Sequence, residues 1–173
     1  MTFERFMKAF LRFMLKPLSF VPALLVMYMI YNFSAQTAQV SSKASSKVTQ
    51  YIVITMDRGL DLELDAVQTA HAIAKLEHYV RKLAHFSEYA LLALTIALPL
   101  YVYRLRGFPL VIVAELICFL YAVSDEYHQF FVAGRAASWK DVAIDSCGSL
   151  FGIYFTRIIG FIGRKTFFRK LQK

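Results

Sequence analysis

The feature that most constrains this chain is an uncharged run. From Pro17 to Ser42 there is no Asp, Glu, His, Lys or Arg, and residues 17–34 of it are mostly apolar. The hydrocarbon core of a bilayer takes about 20 predominantly apolar residues as one helix, so this run reads as a membrane span. The stretches 82–103, 108–131 and 141–163 read the same way. At 58% hydrophobic and 18% charged over 173 residues, the chain is too apolar for an ordinary soluble domain. The expectation is an all-α integral membrane protein, a four-transmembrane-helix bundle forming a single membrane domain over residues 1–173. Asn32-Phe33-Ser34-Ala35 could mimic a signal cleavage site, but the apolar run is at the long end for a signal core. Cys118 and Cys147 both fall inside spans, where a cysteine behaves as a small buried hydrophobe, and their spacing fits neither a disulfide framework nor a metal motif.

Orientation follows from the basic residues, because short cytoplasmic segments retain Lys and Arg. Arg5, Lys8, Arg12 and Lys16 precede the first span, Arg104 and Arg106 sit between the second and third, and Arg164, Lys165, Arg169, Lys170 and Lys173 follow the fourth. These segments are expected inside, giving an N-in/C-in topology. Residues 35–81 mix both charge signs and are expected outside. The net charge of +8 then reflects topology and attraction to anionic lipid, and a nucleic-acid partner is not indicated.

Within the outer segment, residues 36–50, with Ser41, Ser42, Ser45 and Ser46, read as a polar linker or loose helix. Residues 66–82 lack Gly and Pro and can run as a helix straight into the second span. His71, Lys75, His78 and Lys82 recur there at helical spacing, as on a solvated face or one meeting lipid phosphates.

This topology gathers the costly side chains at one level. His85 and Glu88 begin the second span, Asp125, Glu126, His128 and Gln129 end the third, and Asp141 and Asp145 begin the fourth. Ionisable groups facing lipid are unfavourable, so these should turn toward each other or a watery cleft. Residues three or four apart share a helix face: His85 with Glu88, Asp125 with His128 and Gln129, and Asp141 with Asp145. In the loop 133–140, Gly134 permits a turn and Arg135 can reach carboxylates or phosphate. Trp139 suits an interfacial anchor, and Ser138 resembles a helix N-cap that would also favour Asp141 at a helix start. Glu115 lies deeper, on nearly the same face as Glu126, as a structural carboxylate or a proton relay. Gly148 and Gly152 form a G-x-x-x-G pair suited to close helix packing.

Three segments carry a resemblance: Lys82-Leu83-Ala84-His85-Phe86-Ser87-Glu88-Tyr89, then Asp125-Glu126-Tyr127-His128-Gln129-Phe130-Phe131-Val132-Ala133-Gly134-Arg135, then Asp141-Val142-Ala143-Ile144-Asp145-Ser146-Cys147-Gly148. Over roughly residues 20–155 the chain resembles the VanZ-like family of bacterial membrane proteins, whose elements are K-x-x-H-F-x-E-Y, D-E-x-H-Q-x-F-x-x-G-R and D-x-x-x-[DN]-x-x-G. Phe33-Ser34-Ala35-Gln36 and the serines after it also resemble the family's first-span ending. Ala133 departs from the pattern, where Pro is frequent. The resemblance implies a multi-pass protein of a bacterial cytoplasmic membrane, associated with low-level resistance to the glycopeptide teicoplanin. That antibiotic is acylated and acts on a lipid-linked cell-wall precursor outside the membrane, in keeping with an outward-facing site.

The residues leave three readings open. An enzyme acting on a lipid or lipid-linked envelope substrate could use His and carboxylates as acid and base with Arg135 on a phosphate. A divalent metal variant would draw on His85, Glu88, Glu126 and His128. A non-catalytic binder would use the same cluster to recognise membrane lipid or glycopeptide. A small transporter or proton-coupled subunit would use Glu115.

Overall fold

The computed structural model describes residues 17–166. The basic ends that carry the orientation reading, Arg5 to Lys16 and Arg169 to Lys173, lie outside the described residues. A short 3-10 turn, Pro17–Phe20, leads into α1 (Val21–Ser34), followed by α2 (Ala38–Leu60), α3 (Ala66–Val102), α4 (Gly107–Gln129) and α5 (Trp139–Thr166). The described residues contain no strand. Four helical stretches are long and apolar enough to cross a membrane: Pro17–Ser34, Ala66–Tyr101, Gly107–Gln129 and Trp139–Ile159. The described residues form an all-helical bundle with four such helices.

Local chemistry sets the helix ends. Pro22 near the start of α1 already has the backbone angle a helix needs. Asp65 caps α3 in a reciprocal box, accepting from Gln68 N at 2.8 Å while Gln68 Oε1 accepts from Asp65 N at 3.0 Å. The turn from α3 to α4 passes through left-handed backbone at Arg104 and Gly107. α5 starts at Trp139, two residues before the expected opening at Asp141, because Ser138 Oγ accepts from Lys140 N at 3.3 Å and caps the helix.

α3 is the hub, packing against α1, α2, α4 and α5. Tyr89, Leu92, Ala93, Ile96 and Ala97 form its buried stripe. Its 37 residues span about 55 Å, well beyond a bilayer core of about 30 Å. The amino-terminal part of α3 therefore projects beyond a membrane of that thickness, where α2 packs along it. Leu24, Leu25, Leu116, Leu120, Phe151 and Ile158 face outward on the spanning helices, as lipid-facing side chains do.

Two expectations are revised. Of residues 36–50, expected as a polar linker or loose helix, all from Ala38 onward belong to a regular helix that continues to Leu60, since the hydroxyls fold back on the chain. Ser45 Oγ donates to Ser41 O at 3.1 Å and Thr49 Oγ1 to Ser45 O at 2.8 Å, while Ser42 Oγ reaches Glu77 on α3 at 2.5 Å. Hydroxyls satisfied in this way no longer compete with the helix. Of the two cysteines, Cys118 is buried but Cys147 is exposed, on a face of α5 turned away from the bundle.

Candidate functional site

The close approach of α5 to α3 organises the polar residues at this end of the bundle. A β-carbon on Gly148 would stand 2.3 Å from Phe86 O, and one on Gly152 2.1 Å from Ala90 O, so only hydrogen fits at either position. The same register pairs the residues above them. His85, beside Phe86, has Nδ1 3.8 Å from Oδ1 of Asp145, one turn before Gly148. One turn further out, Lys82 forms an ion pair with Asp141. Asp141 therefore has a cross-helix cation as well as its favourable place at a helix start.

Asp145 is completely buried, and neither of its carboxylate oxygens has a hydrogen-bond partner among the described residues. A buried carboxylate without partners is strongly unfavourable unless it takes up a proton or meets a donor. The imidazole of His85, itself unbonded at Nδ1, is the nearest candidate and needs only a small movement to reach it.

A second chain of contacts joins α4 to the end of α1. Gln129 Nε2 donates to Asp125 Oδ2 at 3.2 Å, one turn back on α4. Gln129 Oε1 in turn accepts from Arg135 Nη1 at 3.2 Å. Arg135 also donates from Nε to Gln36 O at 2.9 Å and from Nη2 to Phe33 O at 3.2 Å. Among the described residues the guanidinium thus hydrogen-bonds no carboxylate and instead ties its loop to the end of α1 and to the Gln129 side chain on α4, helped by Gly134 at φ 75°. Burial, reinforced by the neighbouring Arg81 charge, lowers the Arg135 pKa from its ordinary value.

The other expected residues take separate roles. Glu126 is buried and accepts from Ser138 N at 2.8 Å, fastening the loop before α5. His128 lies on Tyr31 with ring centroids 4.8 Å apart, and its Nε2 is buried without a partner. Glu115 accepts from Ser149 Oγ at 2.6 Å, about 16 Å along α4 from Glu126. The four residues considered for a divalent cation, His85, Glu88, Glu126 and His128, stand in different settings. Among the described residues no group of three or more His, Cys, Asp or Glu side chains is placed to hold a metal ion.

A cavity of about 310 Å³ opens beside this network. Its polar lining includes Ser34, Arg81, His85, Glu88, Asp125 and Arg135. Arg81 stands one turn before His85 on the same helix face, whereas Ser34, being uncharged, does not stand out among the ionisable groups. The available signal was the first-span ending Phe33-Ser34-Ala35-Gln36 and the serines behind it. Tyr89, closing the K-x-x-H-F-x-E-Y element, is fully buried with an unbonded hydroxyl, a second polar group hidden in a motif quoted for its His and Glu. Chemically, the arrangement offers an acid and base pair at His85 and Asp145, and a chamber holding opposite charges next to it.

Among known proteins, the family model described as VanZ/LLP1 matches residues 19–160. No curated protein and no solved structure matches the chain.

Proposed function

The chain belongs to the VanZ/LLP1 family, and on that premise we propose that it is a multi-pass protein of a bacterial cytoplasmic membrane whose polar cluster faces outward and lowers susceptibility to the acylated glycopeptide teicoplanin. In this reading residues 1–173 form one membrane domain with both ends inside. The cluster His85, Glu88, Asp125, Glu126, His128, Gln129, Arg135, Asp141 and Asp145 binds an amphiphile at the outer leaflet, either the antibiotic or a lipid-linked envelope component. The observation that carries it is the cavity of about 310 Å³ whose lining combines guanidinium, imidazole, hydroxyl and carboxylate groups with apolar side chains. Pockets of that size, mostly apolar with a few convergent polar groups, are what small amphiphiles bind.

One observation favours an enzymatic version of the same site. His85 lines the cavity with the unpartnered Asp145 carboxylate 3.8 Å behind it, an arrangement in which the imidazole would move a proton on an envelope lipid and Asp145 would orient it.

The test is expression in a teicoplanin-susceptible bacterium that lacks the gene. The chain is expected to raise the inhibitory concentration, and Asp145→Asn and His85→Ala to return it toward the empty-vector value at equal protein level. An intact chain that leaves susceptibility unchanged defeats the reading. Mass spectrometry of outer-leaflet lipids from the same cells separates the versions, since a new species that depends on Asp145 requires catalysis.

A further inference from the structure

We propose that the cavity bounded by α1, α2, α3, the end of α4 and the loop after it takes the zwitterionic head of a phospholipid bearing a phosphodiester and a primary ammonium, the phosphoethanolamine type, with the acyl chains leaving beside α1. This rests on the proposed function, in which the cavity is a ligand site, and it adds the ligand's chemistry.

Two unlike charges face the cavity without meeting. The Arg135 guanidinium spends its hydrogen bonds on two backbone carbonyls and one side-chain amide, all neutral acceptors. Glu88 lines the same space and makes no hydrogen bond or ion pair with a described residue. Arg81 adds a second guanidinium, offset by Glu77 at 2.8 Å but with its buried Nε unbonded. Asp125 adds a second carboxylate, which accepts from the neutral Gln129 amide and meets no cation directly.

The charges are also ordered. Arg81, His85 and Glu88 share one face of α3, which sets the Arg81 backbone about 10 Å further out than that of Glu88. A purely anionic head, drawn to Arg81 and Arg135, would bring negative charge against Glu88 and Asp125. A purely cationic head would do the reverse at the guanidiniums. A head with phosphate and ammonium a few bonds apart meets both ends, and charge-assisted bonds of this kind are the strong ones.

The mouth suits an acyl chain. α2 packs along α3, while α1 packs on α3 and α4, so the space between α1 and α2 is a crevice. Its rim carries Phe33 of the spanning helix α1, exposed at 45%, where a polar ligand in water would gain nothing from it. Ser34 and Ser41 add hydroxyl groups to the inner lining.

The test uses the full chain, stripped of lipid in detergent and offered an equal mixture of phosphatidylethanolamine, phosphatidylglycerol and phosphatidylcholine, with retained lipid read by native mass spectrometry. Phosphatidylethanolamine is expected to be retained over both others by about tenfold, the scale of one charge-assisted contact. Glu88→Gln is expected to erase that preference, and Arg81→Gln to lower retention of all three lipids in parallel. That second variant keeps the test sharp should Glu88→Gln fold poorly. Equal retention of the three lipids, or a preference that survives Glu88→Gln in folded protein, overturns the proposal. Soluble O-phosphoethanolamine displacing the lipid at equal concentration overturns the assignment to an amphiphile. If phosphatidylethanolamine is not preferred while Asp145→Asn still abolishes teicoplanin resistance, this inference fails and the function above stands. If the lipid preference holds while the chain confers no resistance, the lipid assignment stands and the resistance function fails.

Discussion

Gly148 lies directly against the carbonyl oxygen of Phe86, so close that a β-carbon there would come within 2.3 Å of it. Because the blocking atom belongs to helix backbone, a larger residue cannot be accommodated by turning a side chain aside. The two helices must separate.

Gly148→Ala and Gly152→Ala are each expected to destabilise the protein by about 1–3 kcal/mol through overpacking. Unfolding in mixed micelles of increasing denaturing detergent measures this. Gly59, with nothing within 4 Å of a β-carbon built on it, is the control. Gly59→Ala is expected to be neutral or stabilising, by up to about 1 kcal/mol. Wild-type stability in both Gly148 and Gly152 variants would show that α3 and α5 do not pack in this register, and the contact between His85 and Asp145 would lose its support.

Arg135 holds Phe33, Gln36 and Gln129 with three different nitrogens. Lysine keeps the charge but presents one nitrogen, which cannot reach three separated acceptors. In Arg135→Lys, amides of residues 35–41 and 130–138 are expected to exchange with solvent about tenfold faster, as local opening becomes easier. Exchange in the buried stripe of α3 should stay as it was. Hydrogen exchange followed by mass spectrometry reads both regions at once, and unchanged loop exchange would remove Arg135 as the tie between α1 and α4.

The proposed outward orientation has its own check. Lys43 on α2 and Arg106 in the turn before α4 are both exposed. In a background with Cys118→Ala and Cys147→Ala, Lys43→Cys is expected to react with a membrane-impermeant maleimide on intact cells. Arg106→Cys should react only after permeabilisation. The reverse pattern would put the cavity on the cytoplasmic side and end the link to an outer-leaflet ligand.

Much of this protein is written in local chemistry. The uncharged run after Lys16, the apolar stretches behind it and the G-x-x-x-G pair specify spanning helices and one close crossing, because burial in lipid selects by composition over about 20 residues and needs no knowledge of neighbours. The His, Glu and Asp residues announced themselves by being expensive where they stand. What only the tertiary structure decided is who meets whom. His85 faces Asp145 and not His128, Arg135 holds carbonyls and an amide and not carboxylates, and Ser34 at the end of α1 joins Arg81, His85 and Glu88 of α3 in one cavity. Those choices depend on helix rotation and register, which the packing at Gly148 and Gly152 sets between α3 and α5. A pattern of residue types along one helix cannot carry that relation.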